Sequence, residues 1–241
     1  MAVSLYVLIT GPIGMLLALL SRSKTPLYAL GHGGVRLGLT LSGIRYRLSG
    51  REHLLRDRAA VYCANHESNV DPPLLFEALH PRMHILYKHE IDRIPILARA
   101  FRLGGFIPID RHNKESASRS IDAGAASIRS GNSFLIFPEG TRSRTSELLP
   151  FKKGGFVMAI KAQAPIVPVA IAGTRAAMHK GSMSIRPVLV DIRVGQPIET
   201  NGLDLDDRDR LIACVRQAMQ ALLREGPIGA GQPGTEGARV R

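Results

Sequence analysis

The chain begins with nineteen uncharged, mostly apolar residues, 2–20, before its first cations, Arg22 and Lys24. As one helix this run would reach about 28 Å, close to the ~30 Å hydrocarbon thickness of a bilayer. Gly11-Pro12 stands in its middle, an interruption that a helix in lipid tolerates better than one in water. No cation precedes the run, so a cleaved signal peptide is a poor fit. The charges behind it favour keeping the body of the protein on the cytoplasmic side. A second apolar stretch, 27–41, carries His32, Arg36 and four glycines. Arg36 at the bilayer centre would cost about 2.5–3.5 kcal/mol, which argues against a second full span. Residues 1–43 are therefore expected to form an apolar helical hairpin that enters one leaflet, its cations reaching back to the headgroups. A buried core helix is the plain alternative.

From residue 44 short apolar runs alternate with helical spacing. Strands are expected at 44–48, 59–64, 84–87, 133–137, 166–172 and 188–194, and helices at 72–79, 94–103, 114–130 and 155–162. This alternation predicts an α/β domain, a central sheet flanked by helices, over residues 44–225. The last helix is the most clearly marked. Asp204, Asp206 and Asp207 load its expected first turn, Leu211, Val215, Met219, Leu222 and Leu223 recur on one face, and Gly226-Pro227 stops it. Residues 226–241, rich in Gly and Pro, are expected to be a disordered tail.

Charge narrows the partners. Thirty-two Lys and Arg against twenty Asp and Glu leave +12, so an anionic membrane surface, a phosphorylated substrate and nucleic acid all have the right sign. Aromatic residues are only 5%, Trp is absent and no nucleic-acid motif occurs, so nucleic acid is not expected. Eight of the cations fall in the first sixty residues, opposed there only by Glu52 and Asp57, which places the excess beside the apolar hairpin. Cys63 and Cys214 lie far apart without ligand spacing, so neither a disulfide nor a metal site is expected, and a reducing cytoplasmic setting fits.

Four segments carry candidate chemistry. Asn65-His66-Glu67-Ser68-Asn69-Val70-Asp71 follows an expected strand. A five-residue step on one helix turns about 500°, so His66 and Asp71 can meet only if His66 lies in the loop before a helix that Asp71-Pro72 begins. A carboxylate on one imidazole nitrogen fixes the tautomer and leaves the other as a base; alternatively Asp71 merely caps its helix. Phe106-Ile107-Pro108-Ile109-Asp110-Arg111 delivers a guanidinium fork suited to phosphate, or a solvated ion pair. Phe137-Pro138-Glu139-Gly140-Thr141-Arg142-Ser143-Arg144 puts cations and a glycine at a strand end, where α/β sheets bind ligands. Its Glu139 would repel a phosphate if free, and is expected to orient an arginine or accept from a substrate hydroxyl. Pro165 and Pro168 remove ladder donors from the strand at 166–172, which is therefore expected at an edge or beside a cleft.

Together these segments resemble the glycerol-phosphate acyltransferase superfamily, and within it the 1-acyl-glycerol-3-phosphate acyltransferases. The resemblance rests on His-x4-Asp, Phe-Ile-Pro-x-x-Arg, Phe-Pro-Glu-Gly-Thr-Arg-Ser and the proline-bearing fourth motif, in the family's order. It implies that His66 deprotonates an acceptor hydroxyl while Asp71 holds and polarises it. It implies that Arg111, Glu139, Gly140, Thr141 and Arg142 form the acceptor-phosphate site, with Lys88 a further ligand, and that Pro168 shapes the acyl-donor side. Glu67 stands where many relatives have Gln. The implied reaction needs no cofactor and no metal. A fatty-acyl group moves from acyl-CoA or acyl carrier protein to the free hydroxyl of a lysophospholipid, 1-acyl-glycerol-3-phosphate becoming phosphatidic acid, at the cytoplasmic face of the inner membrane. Another lysolipid or an ornithine-type lipid is an alternative acceptor. Hydrolysis is a rival, although no Gly-x-Ser-x-Gly elbow is present. The non-enzymatic rival is a basic membrane-binding protein.

Overall fold

The structure is a computed structural model and describes residues 2–79, 82–110, 112–145, 147–178 and 184–226. Seven strands form one sheet: β1 (Arg45–Ser49), β2 (Val61–Ala64), β3 (Met83–Lys88), β4 (Ile107–Ile109), β5 (Ser133–Ile136), β6 (Ile166–Ala172) and β7 (Leu189–Val194). Their order is β1-β7-β6-β2-β5-β3-β4. Strands β6, β2, β5, β3 and β4 run parallel, while β7 is antiparallel to β6 and parallel to β1. The helices are α1 (Ala2–Ser21), α2 (Thr25–Leu41), α3 (Asp71–Leu79), α4 (Pro95–Gly104), α5 (Lys114–Arg129), α6 (Gly154–Ala162), the single turn α7 (Thr174–Ala177) and α8 (Arg208–Arg224).

Strand side chains alternate between faces, and here both faces are covered. Tyr62, Ala64, Leu135, Val167, Val169 and Ile171 pack with Tyr28 and Leu39 of α2 and with Leu74, Leu75 and Leu79 of α3. Val61, Cys63, Phe134, Ile136 and Ile166 pack on the other side with α5, α6 and α8. That explains why β2 and β5 are buried at every position and, Ser133 at the start of β5 apart, read as apolar runs. Burial also pushes the Cys63 thiol well above its usual range, which leaves it inert packing.

Helix α2 continues through Gly31-His32-Gly33-Gly34, and Gly33 and Gly34 admit its neighbour α1. A Cβ on Gly33 would lie 2.6 Å from Tyr6 Oη and one on Gly34 2.9 Å from the Tyr6 ring. The Tyr6 hydroxyl donates to Leu30 O at 2.9 Å. Helices α1 and α2 thus form a close antiparallel pair. On its far side α2 is fixed to α3: His32 Nδ1 and Arg36 Nε each lie 2.6 Å from the carboxylate of Glu77. α1 is long and apolar enough to cross a membrane, and Leu5, Leu8, Ile9, Leu16, Leu19 and Leu20 are exposed along it.

Three local expectations are corrected. Of the two places expected for β6, the edge is excluded, since it is an interior strand between β7 and β2. Ile166 exchanges both backbone hydrogen bonds with Ile198, and two residues on Pro168 O accepts from Gly195 N. The missing N–H of Pro168 therefore faces the 195–198 segment, where the chain leaves the ladder, so no donor is lost from regular pairing. Helix α8 starts at Arg208, and Asp204, Asp206 and Asp207 lie before it. There Asp204 Oδ1 accepts from the backbone of Asp206 and Asp207 in a turn of their own. Strand β4 lies inside the segment read only as a cation-bearing run. The expected tail, 226–241, lies outside the described residues except for Gly226.

Candidate active site

The five parallel strands end on one edge of the sheet, and four of the segments that follow them hold the candidate residues. His66 comes two residues after β2. Its exit is fixed by Asn65, whose side chain exchanges two hydrogen bonds with the backbone of Ile171 on β6, at 2.9 and 2.8 Å. The loop then turns sharply onto α3. Asp71 is fully buried at the start of that helix. One of its oxygens, Oδ2, accepts from Glu67 N at 2.6 Å and Ser68 N at 2.8 Å, and lies 2.8 Å from His66 Nδ1. Both amides precede α3, so the carboxylate organises the loop and orients the imidazole rather than capping the helix. An acceptor-only carboxylate at Nδ1 assigns the proton to that nitrogen and leaves Nε2 with a lone pair. The ring stacks on Phe137, centroids 4.3 Å apart.

The segment after β5 holds the backbone of His66 from the other side. Glu139 accepts from His66 N at 2.9 Å and from Leu149 N at 3.0 Å. Ser143 N donates to His66 O at 2.8 Å. Burial pushes the Glu139 carboxyl above the usual carboxylate range, and those two amides pull it back. Gly140 adopts φ +69° at this turn, a conformation costly for other residues. Thr141 is exposed. The Arg142 Nη1 atom is buried without a hydrogen-bond partner among the described residues, an unusual state for a guanidinium.

The other expected ligands are more dispersed. Lys88 ends β3 with its side chain half exposed and its ammonium 2.6 Å from Glu90. Arg111 lies outside the described residues. Pro168 is buried in the middle of β6, in register with Cys63. No group of three or more His, Cys, Asp or Glu among the described residues could hold a metal ion.

Arg175, in the turn α7 after β6, was not singled out from the sequence. Its Nη2 lies 3.1 Å from Glu67 Oε1, and its Nη1 lies 3.4 Å from Arg144 O. A carboxylate beside a base signals that a cation must be near, but which of thirty-two supplies it depends on the fold.

An apolar cavity of about 540 Å³ adjoins the site. Asn69 and Val70 of the His66–Asp71 loop line one part, Phe76 and Phe106 another, and Tyr6 and Gly31 of the hairpin its outer side.

The acyltransferase family model matches residues 45–172, more than half the chain. A 1-acyl-sn-glycerol-3-phosphate acyltransferase of Limnanthes douglasii is 33% identical over 180 residues, covering 74% of this chain and 63% of that protein. One from Cocos nucifera is 34% identical over 172 residues, covering 71% and 55%. The chain therefore spans less than two thirds of the length of these relatives. The crystal structure of the 1-acyl-sn-glycerophosphate (LPA) acyltransferase PlsC from Thermotoga maritima superposes with a TM-score of 0.77 at 23% identity, covering 95% of this chain and 97% of that one. At that identity the likeness speaks for the fold.

Proposed function

The chain belongs to the acyltransferase family, and from that premise we propose that it moves a fatty-acyl group from an acyl thioester to the free hydroxyl of a lysophospholipid, with 1-acyl-glycerol-3-phosphate as acceptor and phosphatidic acid as product. The observation that carries the reading is the pair His66 Nδ1–Asp71 Oδ2 at 2.8 Å, held at the sheet edge between a cationic turn and an apolar cavity. His66 Nε2 takes the proton of the acceptor hydroxyl as its oxygen attacks the thioester carbonyl. The tetrahedral intermediate collapses, the C–S bond breaks, and the imidazolium returns its proton to the departing thiolate. Asp71 stabilises the imidazolium between those steps. General-base assistance supplies about 10²–10⁴ in rate, and holding acceptor and thioester together supplies more.

Arg142, with its unpaired buried nitrogen, is the first candidate for the acceptor phosphate, joined by Lys88, Gly140 and Thr141 at the same sheet edge and, by family resemblance alone, by Arg111. Glu139 serves the site through the His66 backbone. The cavity takes an acyl chain, being apolar and bounded by the His66 loop at one side and the hairpin at the other. Pro168 belongs to the donor side by family resemblance alone. The donor is acyl-CoA or acyl carrier protein.

The hairpin supports association with one leaflet at the cytoplasmic face of the inner membrane. Glu77 fixes the middle of α2 to the α/β domain, so α2 lies along that domain and cannot cross a bilayer away from it. The exposed leucines of α1 then face lipid, and Arg22 and Lys24 lie at the anionic headgroups.

The test is product analysis with purified protein in detergent–lipid micelles. Acyl-CoA and acyl carrier protein thioesters are each supplied with lysophosphatidic acid, with another lysophospholipid, and with no acceptor. Thiol release that requires an acceptor, fastest with lysophosphatidic acid, is expected. Release without acceptor would make the protein a hydrolase.

A further inference from the structure

We propose that Arg175 is a positioning residue for this reaction, clamping the loop that carries His66 to the loop that carries Arg142. The inference rests on the acyl-transfer reading above and adds to it a residue outside the four motifs. Arg175 reaches two elements from the turn after β6. Its Nη2 holds Glu67, the neighbour of His66, at 3.1 Å, and its Nη1 approaches the backbone oxygen of Arg144 at 3.4 Å. These contacts join segments 108 and 31 residues away in sequence. The planar fork of arginine makes such a two-way contact, and the point charge of lysine does not.

Charge makes the clamp necessary. Three carboxylates converge beneath the His66 loop: Glu67, Asp71 and Glu139, with relative exposures of 8, 0 and 3%. Asp71 is offset by two backbone amides and the imidazole, and Glu139 by two backbone amides. Among the described residues no backbone amide donates to Glu67, and Arg175 is its partner. Burial raises its carboxyl pKa, Arg175 opposes that, and the other two acids add to the burden. Removing Arg175 leaves an enclosed carboxylate beside the base, which is relieved by movement of the loop or by uptake of a proton at the cost of the loop's charge balance. A shift of His66 relative to the bound acceptor by ~1 Å is enough to cost about 10²-fold in rate.

The experiment compares wild type, Arg175→Met, Glu67→Gln and the double variant in acyl transfer to lysophosphatidic acid, with thermal unfolding of the same four proteins. Arg175→Met is expected to lower kcat about 10–100-fold while KM for acceptor and thioester moves less than about threefold, the pattern of a mispositioned base. In the double variant the carboxylate that needed balancing is gone, and kcat should recover at least about tenfold over Arg175→Met. Arg175→Lys, which keeps the charge and loses the fork, should fall between, and it serves if Arg175→Met does not fold. A raised acceptor KM with unchanged kcat, not relieved by Glu67→Gln, would make Arg175 a direct phosphate ligand and overturn the proposal; so would unchanged kinetics. If wild type transfers no acyl group, the functional reading fails separately, and the unfolding cycle still decides the clamp. A Tm loss in Arg175→Met that is regained in the double variant supports it, and additive losses contradict it.

Discussion

Glu139 accepts the backbone N–H of His66 at 2.9 Å, and its other oxygen is taken by Leu149 N–H at 3.0 Å. An acid that stands among arginines in the sequence thus acts on the base through the main chain. Glu139→Ala should lower kcat about 10–100-fold by freeing the His66 backbone, with little change in acceptor KM. Glu139→Gln, which keeps one acceptor oxygen, should lose less. Steady-state kinetics on both variants checks this, and an effect confined to acceptor KM would place Glu139 on the substrate.

Asp71 accepts three hydrogen bonds on one oxygen, two from backbone and one from imidazole. Asp71→Asn loses the negative charge that favours the imidazolium and can present a donor to Nδ1, permitting the wrong tautomer. A fall in kcat of about 10²–10⁴ is expected. Because the same oxygen also accepts the loop amides of Glu67 and Ser68, Tm should fall as well, by the equivalent of about 1 kcal/mol. Parallel kinetics and unfolding separate the two effects.

His84 gives a pH prediction away from the site. It is buried on β3, and burial, with Lys24 adding repulsion, lowers its pKa from 6.5 to about 4. In this window the unfolded chain binds the proton and the folded chain does not, so stability rises with pH. It is therefore lost as pH falls from about 6.5 towards 4, to a limit on the order of 3 kcal/mol. Urea unfolding at a series of pH values should show that slope, and His84→Gln should flatten it.

Gly31 lines the apolar cavity, and a Cβ there would meet only Phe76, at 3.9 Å. Gly31→Leu is expected to fold, since leucine also favours helix over glycine by up to about 1 kcal/mol. Its side chain would occupy the cavity and shift the preferred acyl donor to a shorter chain. Competition between thioesters of two chain lengths reads the shift, and an unchanged preference would place the acyl chain elsewhere.

Much of this architecture was legible because its signals are local. Apolar runs such as Phe134-Leu135-Ile136 mark strands buried on both faces, and the Asp71-Pro72 start marks the turn that brings His66 onto Asp71. What escaped depends on register. β4 has only three residues, too few to alternate visibly. Pro168 suggested an edge because the break in pairing that accommodates it belongs to a segment almost thirty residues further on. The glycines at 33 and 34 make room for Tyr6 of α1, a contact that no local spacing shows. The tie from Arg175 to Glu67 spans 108 residues, and no spacing rule predicts it.

The most direct measurement of the central claim follows free thiol and lipid product together for purified wild type and His66→Ala, each given an acyl thioester with and without lysophosphatidic acid. Wild type should release thiol and form phosphatidic acid only when acceptor is present. His66→Ala, with unfolding behaviour like wild type, should be slower by at least about 10². Equal rates in the two proteins, or thiol release independent of acceptor, would contradict the account.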